Sequence, residues 1–136
     1  MFSSHTLRNK EEETIDANKA VNGKVIALVF SAVWSPPCLK FVPKLRELYE
    51  ELKYKRRVPF EVIFVSLDKS RDDMQSFMQN YHGDWWASEF DSSLSKYYNI
   101  LIEIIVFRKR QQEKILFMLM AGSKLQYQVI IVFVAT

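Results

Sequence analysis

The chain has 136 residues, 49% of them hydrophobic and 14% aromatic, with a formal net charge of +3. That length suits one domain, residues 1–136, with a sizeable core, and the composition excludes a disordered polymer. The charge balance is mild and holds no long block of one sign, so nucleic acid is not an expected partner.

A short strand is expected around His5-Thr6-Leu7. From Glu11 to Val21, Ile15, Ala17, Ala20 and Val21 fit a short helix with acidic residues in its first turn. Asn22-Gly23 closes it with residues that tolerate a left-handed cap. Lys24 to Phe30 is almost continuously apolar and of strand length, as a parallel strand covered on both faces requires. Leu39, Val42, Leu45, Leu48, Tyr49 and Leu52 then recur at three- and four-residue spacing, the pattern of an amphipathic helix. Lys53, Lys55, Arg56 and Arg57 form its solvated basic end, where cations complement the dipole.

Phe60 to Ser66 is a second apolar strand. Asp68 to Ser70 caps a helix to about Tyr81, with Met74, Phe77, Met78 and Tyr81 on one face. His82-Gly83-Asp84 is a turn, and Asp91-Ser92-Ser93 caps a short helix through Tyr98. Strands alternating with helices imply βαβ units and a parallel sheet. Beyond Asn99, Ile100–Phe107 and Ile115–Met120 read as a hairpin around a charged turn, and Val129–Ala135 is a further apolar run. Gly122, Lys124, Gln126 and Gln128 interrupt this tail, so two strands, or a poorly packed apolar end liable to aggregate, fit it better than a membrane span.

Trp34-Ser35-Pro36-Pro37-Cys38 joins the first apolar strand to the amphipathic helix. Proline's fixed φ suits a first helical turn, where its missing N–H costs nothing. The unpaired N–H groups and the dipole there favour negative charge. Cys38 is the single cysteine, which excludes a disulfide framework and a cysteine-rich zinc site. With only His5 and His82 as histidines, no metal site is expected. Met1 to Lys10 lacks the apolar core of a secretory signal, so a cytoplasmic setting is expected, with the nucleus or secretion without a signal peptide as alternatives.

The stretch Val25 to Cys38 resembles the active-site segment of the thioredoxin superfamily, and its Trp-Ser-Pro-Pro-Cys is similar to the motif of the nucleoredoxin and tryparedoxin branch. Phe41-Val42-Pro43-Lys44-Leu45, Phe60 to Asp68, Phe77-Met78, His82-Gly83-Asp84-Trp85 and Lys96 to Ile100 extend the resemblance over about residues 5–100. The last pieces look most like the nucleoredoxin-like protein 2 group, relatives of rod-derived cone viability factor that support photoreceptors. The resemblance implies an α/β, thioredoxin-like fold: a central mixed β-sheet flanked by helices on both faces.

Three departures accompany it. Ser35 stands at the family's nucleophilic cysteine, and a hydroxyl cannot exchange disulfides. Cys38 holds the resolving position, with no partner thiol to release it from a mixed disulfide. The strand that should start with a cis-proline begins Ile100-Leu101-Ile102-Glu103 instead. Residues 101–136 diverge altogether, as in a truncated product, an alternative transcript or a gene-model artefact.

Each candidate residue has a plain counterpart. Cys38 is a redox thiol or a small buried hydrophobe; Ser35 is a helix cap, since a nucleophilic serine needs an adjacent base and neither histidine is near in sequence. Trp34, Pro36 and Pro37 are a partner-binding surface or simple packing, and one of Trp85 and Trp86 belongs in the core. His82 is a turn residue, and Val29 stands where thioredoxin carries an acid. The resemblance then implies either a redox-weak protein that binds protein partners, in a trophic role, or a thiol-disulfide oxidoreductase working through Cys38. Neither needs a cofactor, nucleic acid or a membrane.

Overall fold

A computed structural model of the chain describes residues 5–34, 36–92, 94, 117–120 and 128–133. Its centre is two apolar strands, β3 (Val25–Ser31) and β4 (Phe60–Ser66), paired in parallel from Val25 against Phe60 to Ser31 against Ser66. Their near-continuous burial matches the unbroken hydrophobic runs, because a parallel strand loses both faces to helices. Around them the sheet runs β2-β1-β5-β4-β3-β7-β6. Here β1 is Thr6–Arg8, β2 Thr14–Asp16, β5 Trp86–Ser88, β6 Phe117–Met120 and β7 Gln128–Phe133. Strands β4 and β5 are parallel, as are β3 and β7; β1–β2, β1–β5 and β6–β7 are antiparallel. The sheet is mixed, as expected.

Alternation along the strands divides the core between the two faces. On one, Leu7, Ile26, Leu28, Phe30, Ile63 and Val65 pack with Ala17, Ala20 and Val21 of the short helix α1 (Ala17–Val21). On the other, Ala27, Val29, Val62 and Phe64 meet two longer helices. Helix α2 (Pro36–Glu50) contributes Val42, Leu45 and Tyr49, and α3 (Arg71–Tyr81) contributes Met74, Phe77 and Met78. Each large apolar side chain so buried contributes roughly 1.5–3 kcal/mol.

Several local expectations change. Residues 14–16 form strand β2, not helix, because Glu11–Glu13 lie in the turn of the β1–β2 hairpin, where Asn9 N–H donates to Glu13 O at 3.0 Å and Glu12 takes φ 65°. Helix α1 starts only at Ala17, capped by Asp16, whose carboxylate accepts from the Asn18 and Lys19 amides. Gly23 then takes φ 67°, the left-handed turn expected of it. Helix α2 runs through Pro43 and widens into a π-helical turn over Glu51–Lys55, closed by Arg56 N–H to Glu51 O at 3.0 Å.

Ser70 caps α3, its hydroxyl accepting from Asp73 N at 3.1 Å. Strand β5 has no expected counterpart; three residues are too few to show alternation. The expected helix at 93–98, apart from buried Leu94, and the strand and turn at 100–114 lie outside the described residues. The two tail strands expected further on are present as β6 and β7, paired with each other. Among the described residues no helix is long and apolar enough to cross a membrane.

Candidate functional site

Strand β3 hands the chain through buried Ala32 to Trp34, and α2 opens at exposed Pro36. Cys38 is a free thiol in the first helical turn and only 3% exposed, whereas Trp34 is 48% exposed. No acidic residue shares that turn. Ser35 and the side chain of Pro37 lie outside the described residues. Of the residues singled out from the motif, Trp34 and Pro36 face solvent and Cys38 faces inward.

The segment after β4 closes over this approach. Leu67 N–H donates to Ser31 O at 2.9 Å, extending the parallel ladder by one rung. The Trp34 indole Nε1–H donates to Leu67 O at 3.1 Å. Asp68 accepts the Val33 N–H on Oδ1 at 2.8 Å and the Ser66 hydroxyl on Oδ2, also at 2.8 Å. The sequence suggests Asp68 only as part of a helix cap. Its partner Val33 is 35 positions away, and no local pattern announces that bond.

Val29 is buried and apolar, so no carboxylate lies at that position. Besides Asp68, the buried acid among the described residues is Glu61, opposite Ile26 near the other end of the sheet. Ser66 lies five residue steps along the strand from it, a span of about 16 Å. Its carboxylate accepts from the Tyr49 hydroxyl at 2.8 Å and the Val62 amide at 3.1 Å, and pairs with Lys53 at 3.3 Å and Lys24 at 3.7 Å. Burial, with the Glu61 charge beside it, pushes the Tyr49 phenol well above its usual range. Lys53 is therefore turned inward, a correction to the fully solvated basic end, while Lys55 and Arg56 stay out and pair with Glu51. The lone glutamate inside an apolar strand is the sequence signal for this cluster.

His82 is no simple turn residue. It is buried, Trp85 Nε1–H donates to its Nδ1 at 3.1 Å, and its Nε2 lies 2.8 Å from Trp85 O. With Nδ1 accepting, the ring proton sits on Nε2. Burial disfavours the imidazolium and lowers the pKa to about 4, so neutral His82 joins Trp85 in the core. Trp86 is half-buried, so the core takes one tryptophan of the pair fully, as expected.

A thioredoxin-like family model matches residues 22–107. A probable nucleoredoxin 3 of Oryza sativa subsp. japonica is 40% identical over 73 residues, covering 54% of this chain and 15% of that protein. Tryparedoxin of Trypanosoma brucei brucei is 41% identical over 71 residues, covering 51% of this chain and 45% of that one. The match thus spans less than half the length of these curated relatives. Among solved structures, a thioredoxin from Wuchereria bancrofti superposes with a TM-score of 0.64 at 31% identity, covering 90% of this chain and 78% of that one. With the mixed sheet, helices on both faces and the motif at the start of α2, the chain belongs to the thioredoxin-like family, in its nucleoredoxin and tryparedoxin branch.

Proposed function

We propose that this protein works by holding protein partners on its Trp34 face, in a trophic role of the photoreceptor-maintaining kind, rather than by turning over disulfides. One observation carries the reading: the chain's single thiol, Cys38, is 3% exposed, while Trp34, four positions before it, is 48% exposed. Disulfide exchange needs an accessible thiolate to attack sulfur and a second thiol to expel the mixed disulfide. This chain has one thiol, facing inward, and Ser35 at the position where the resemblance puts the attacking one. A half-exposed tryptophan is the kind of anchor that interfaces favour. The trophic element rests on the resemblance through Phe77-Met78, His82 to Trp85 and Lys96 to Ile100. Under this reading the protein acts in the cytoplasm or nucleus, where a lone thiol stays reduced.

The competing reading is a protein-disulfide reductase that uses Cys38 with an external thiol. Insulin reduction by dithiothreitol, followed by turbidity, separates the two. The expected result is no acceleration over dithiothreitol alone, and no difference between the protein and Cys38→Ala. An acceleration abolished by Cys38→Ala overturns the binding reading.

A further inference from the structure

The Trp34 face is fastened by bonds that contain no sulfur. Three hydrogen bonds tie residues 31–34 to residues 67–68: Leu67 N–H to Ser31 O, Val33 N–H to Asp68 Oδ1, and Trp34 Nε1–H to Leu67 O, at 2.9, 2.8 and 3.1 Å. Asp68 is itself fixed from behind. Its Oδ2 accepts the Ser66 hydroxyl at 2.8 Å, while its own N–H donates back to Ser66 Oγ at 3.1 Å. Bonds to a carboxylate of this length belong to the stronger, charge-assisted class. At 7% exposure, Asp68 has little water to replace either partner.

From this arrangement we infer that Asp68 is a positioning residue: it fixes the Leu67 carbonyl and the Val33 amide, and through them holds the Trp34 ring in place whatever the oxidation state of Cys38. The inference deepens the partner-binding reading above and rests on it for its biological meaning. Its physical content stands apart. Leu67 lies between Ser66 and Asp68, so the ring that locks those two residues sets where the Leu67 carbonyl points. Removing the carboxylate strands the Val33 N–H and the Ser66 hydroxyl and lets that carbonyl turn away from the indole. With one cysteine in the chain, no internal disulfide can reshape the loop. The docking face is built to be constant, not redox-gated.

The test is the indole region of a two-dimensional proton–nitrogen NMR spectrum of the full chain. Its three tryptophans give separate Nε1–H signals, and Trp34→Phe assigns one of them. In Asp68→Ala the Trp34 signal is expected to move toward the free-indole position and to exchange with water about tenfold faster, with the Trp85 signal in place. Asp68→Asn, which keeps an oxygen for Val33 and an amide for Ser66, is expected to retain the original signal. Neither dithiothreitol nor hydrogen peroxide should move it. An unchanged Trp34 signal in Asp68→Ala, or a shift on peroxide treatment, overturns the inference. If Asp68→Ala also loses the Trp85 signal and so has unfolded, Ser66→Ala decides: a smaller shift of Trp34 in the same direction supports the inference, and none refutes it. The insulin assay fails or succeeds independently, because it reads the thiol and not the indole.

Discussion

The Tyr49 hydroxyl donates to Glu61 Oε1 at 2.8 Å and lies 2.9 Å from the Asp84 carbonyl. The contact joins the far end of the motif-bearing helix to the remote end of the sheet. Glu61 also pairs with Lys24 and Lys53, but both amines are about one-third exposed and turn to water readily. The buried hydrogen bonds should therefore outweigh the ion pairs. Glu61→Ala is expected to lower stability by about 2 kcal/mol, the scale of losing a buried hydrogen bond to a charged group. Lys53→Met is expected to lower it by less than about 1 kcal/mol. Urea unfolding midpoints check the order; a larger loss in Lys53→Met means that the ion pair governs this end.

Gly83 sits against the face of Trp85. A Cβ built on it would lie 2.3 Å from Trp85 Cζ3, so any side chain displaces the indole or the turn. Trp85 is hemmed in by Tyr49 and His82, with ring centroids 5.4 and 5.1 Å away, and cannot yield freely. Gly83→Ala is expected to cost about 1–3 kcal/mol, as overpacking does. Thermal unfolding gives the size, and a weakened near-ultraviolet tryptophan signal gives the cause. An unchanged signal with full stability excludes the clash.

The legible parts of this chain were those whose cause is local. Strands β3 and β4 are continuous apolar runs, α3 has an apolar face with Ser70 as cap, and the motif carries its own helix start in Pro36. Where a residue answers to a distant partner, local pattern misleads. Glu11–Glu13 resemble a first helical turn, yet a hairpin claims them because Thr14–Asp16 pair with β1. Lys53 resembles its basic neighbours, yet Glu61 draws it inward. Asp68 resembles part of a cap until Val33 is seen beside it, and nothing near position 68 encodes that.

Stability should fall as the solution is acidified through the range of His82. Its pKa is about 4 in the fold against an ordinary 6.5, so between those values the unfolded chain binds a proton that the folded chain refuses. The contribution is complete above about pH 6.5, is lost as pH falls toward 4, and is constant below; the gap corresponds to about 3 kcal/mol. Urea unfolding at pH 7, 5.5 and 4.5 should show this loss in the native chain and a shallower one in His82→Gln. Because the carboxylates titrate alike in both, the difference belongs to His82. Equal slopes mean that the imidazole accepts its proton within the fold.

Ser35→Cys asks how much of a disulfide reductase the scaffold retains. The introduced thiol follows Trp34 at the start of α2, a setting that favours a thiolate, and Cys38 stands three positions on to resolve a mixed disulfide. The thiolate attacks a substrate disulfide and expels one of its sulfurs as a thiol. Cys38 then attacks the mixed disulfide, frees the second substrate thiol and leaves an internal disulfide that dithiothreitol reduces. Insulin reduction at least about tenfold above the native chain is expected, since the native motif lacks the attacking sulfur altogether. It should still fall short of a two-cysteine tryparedoxin assayed alongside. The stretch Ile100-Leu101-Ile102-Glu103 offers no proline for a cis peptide, and a non-proline one costs about 2.5–4 kcal/mol. Activity equal to that tryparedoxin means that the missing proline has no bearing on exchange; activity no higher than the native chain means that the start of α2 does not activate a thiol at all.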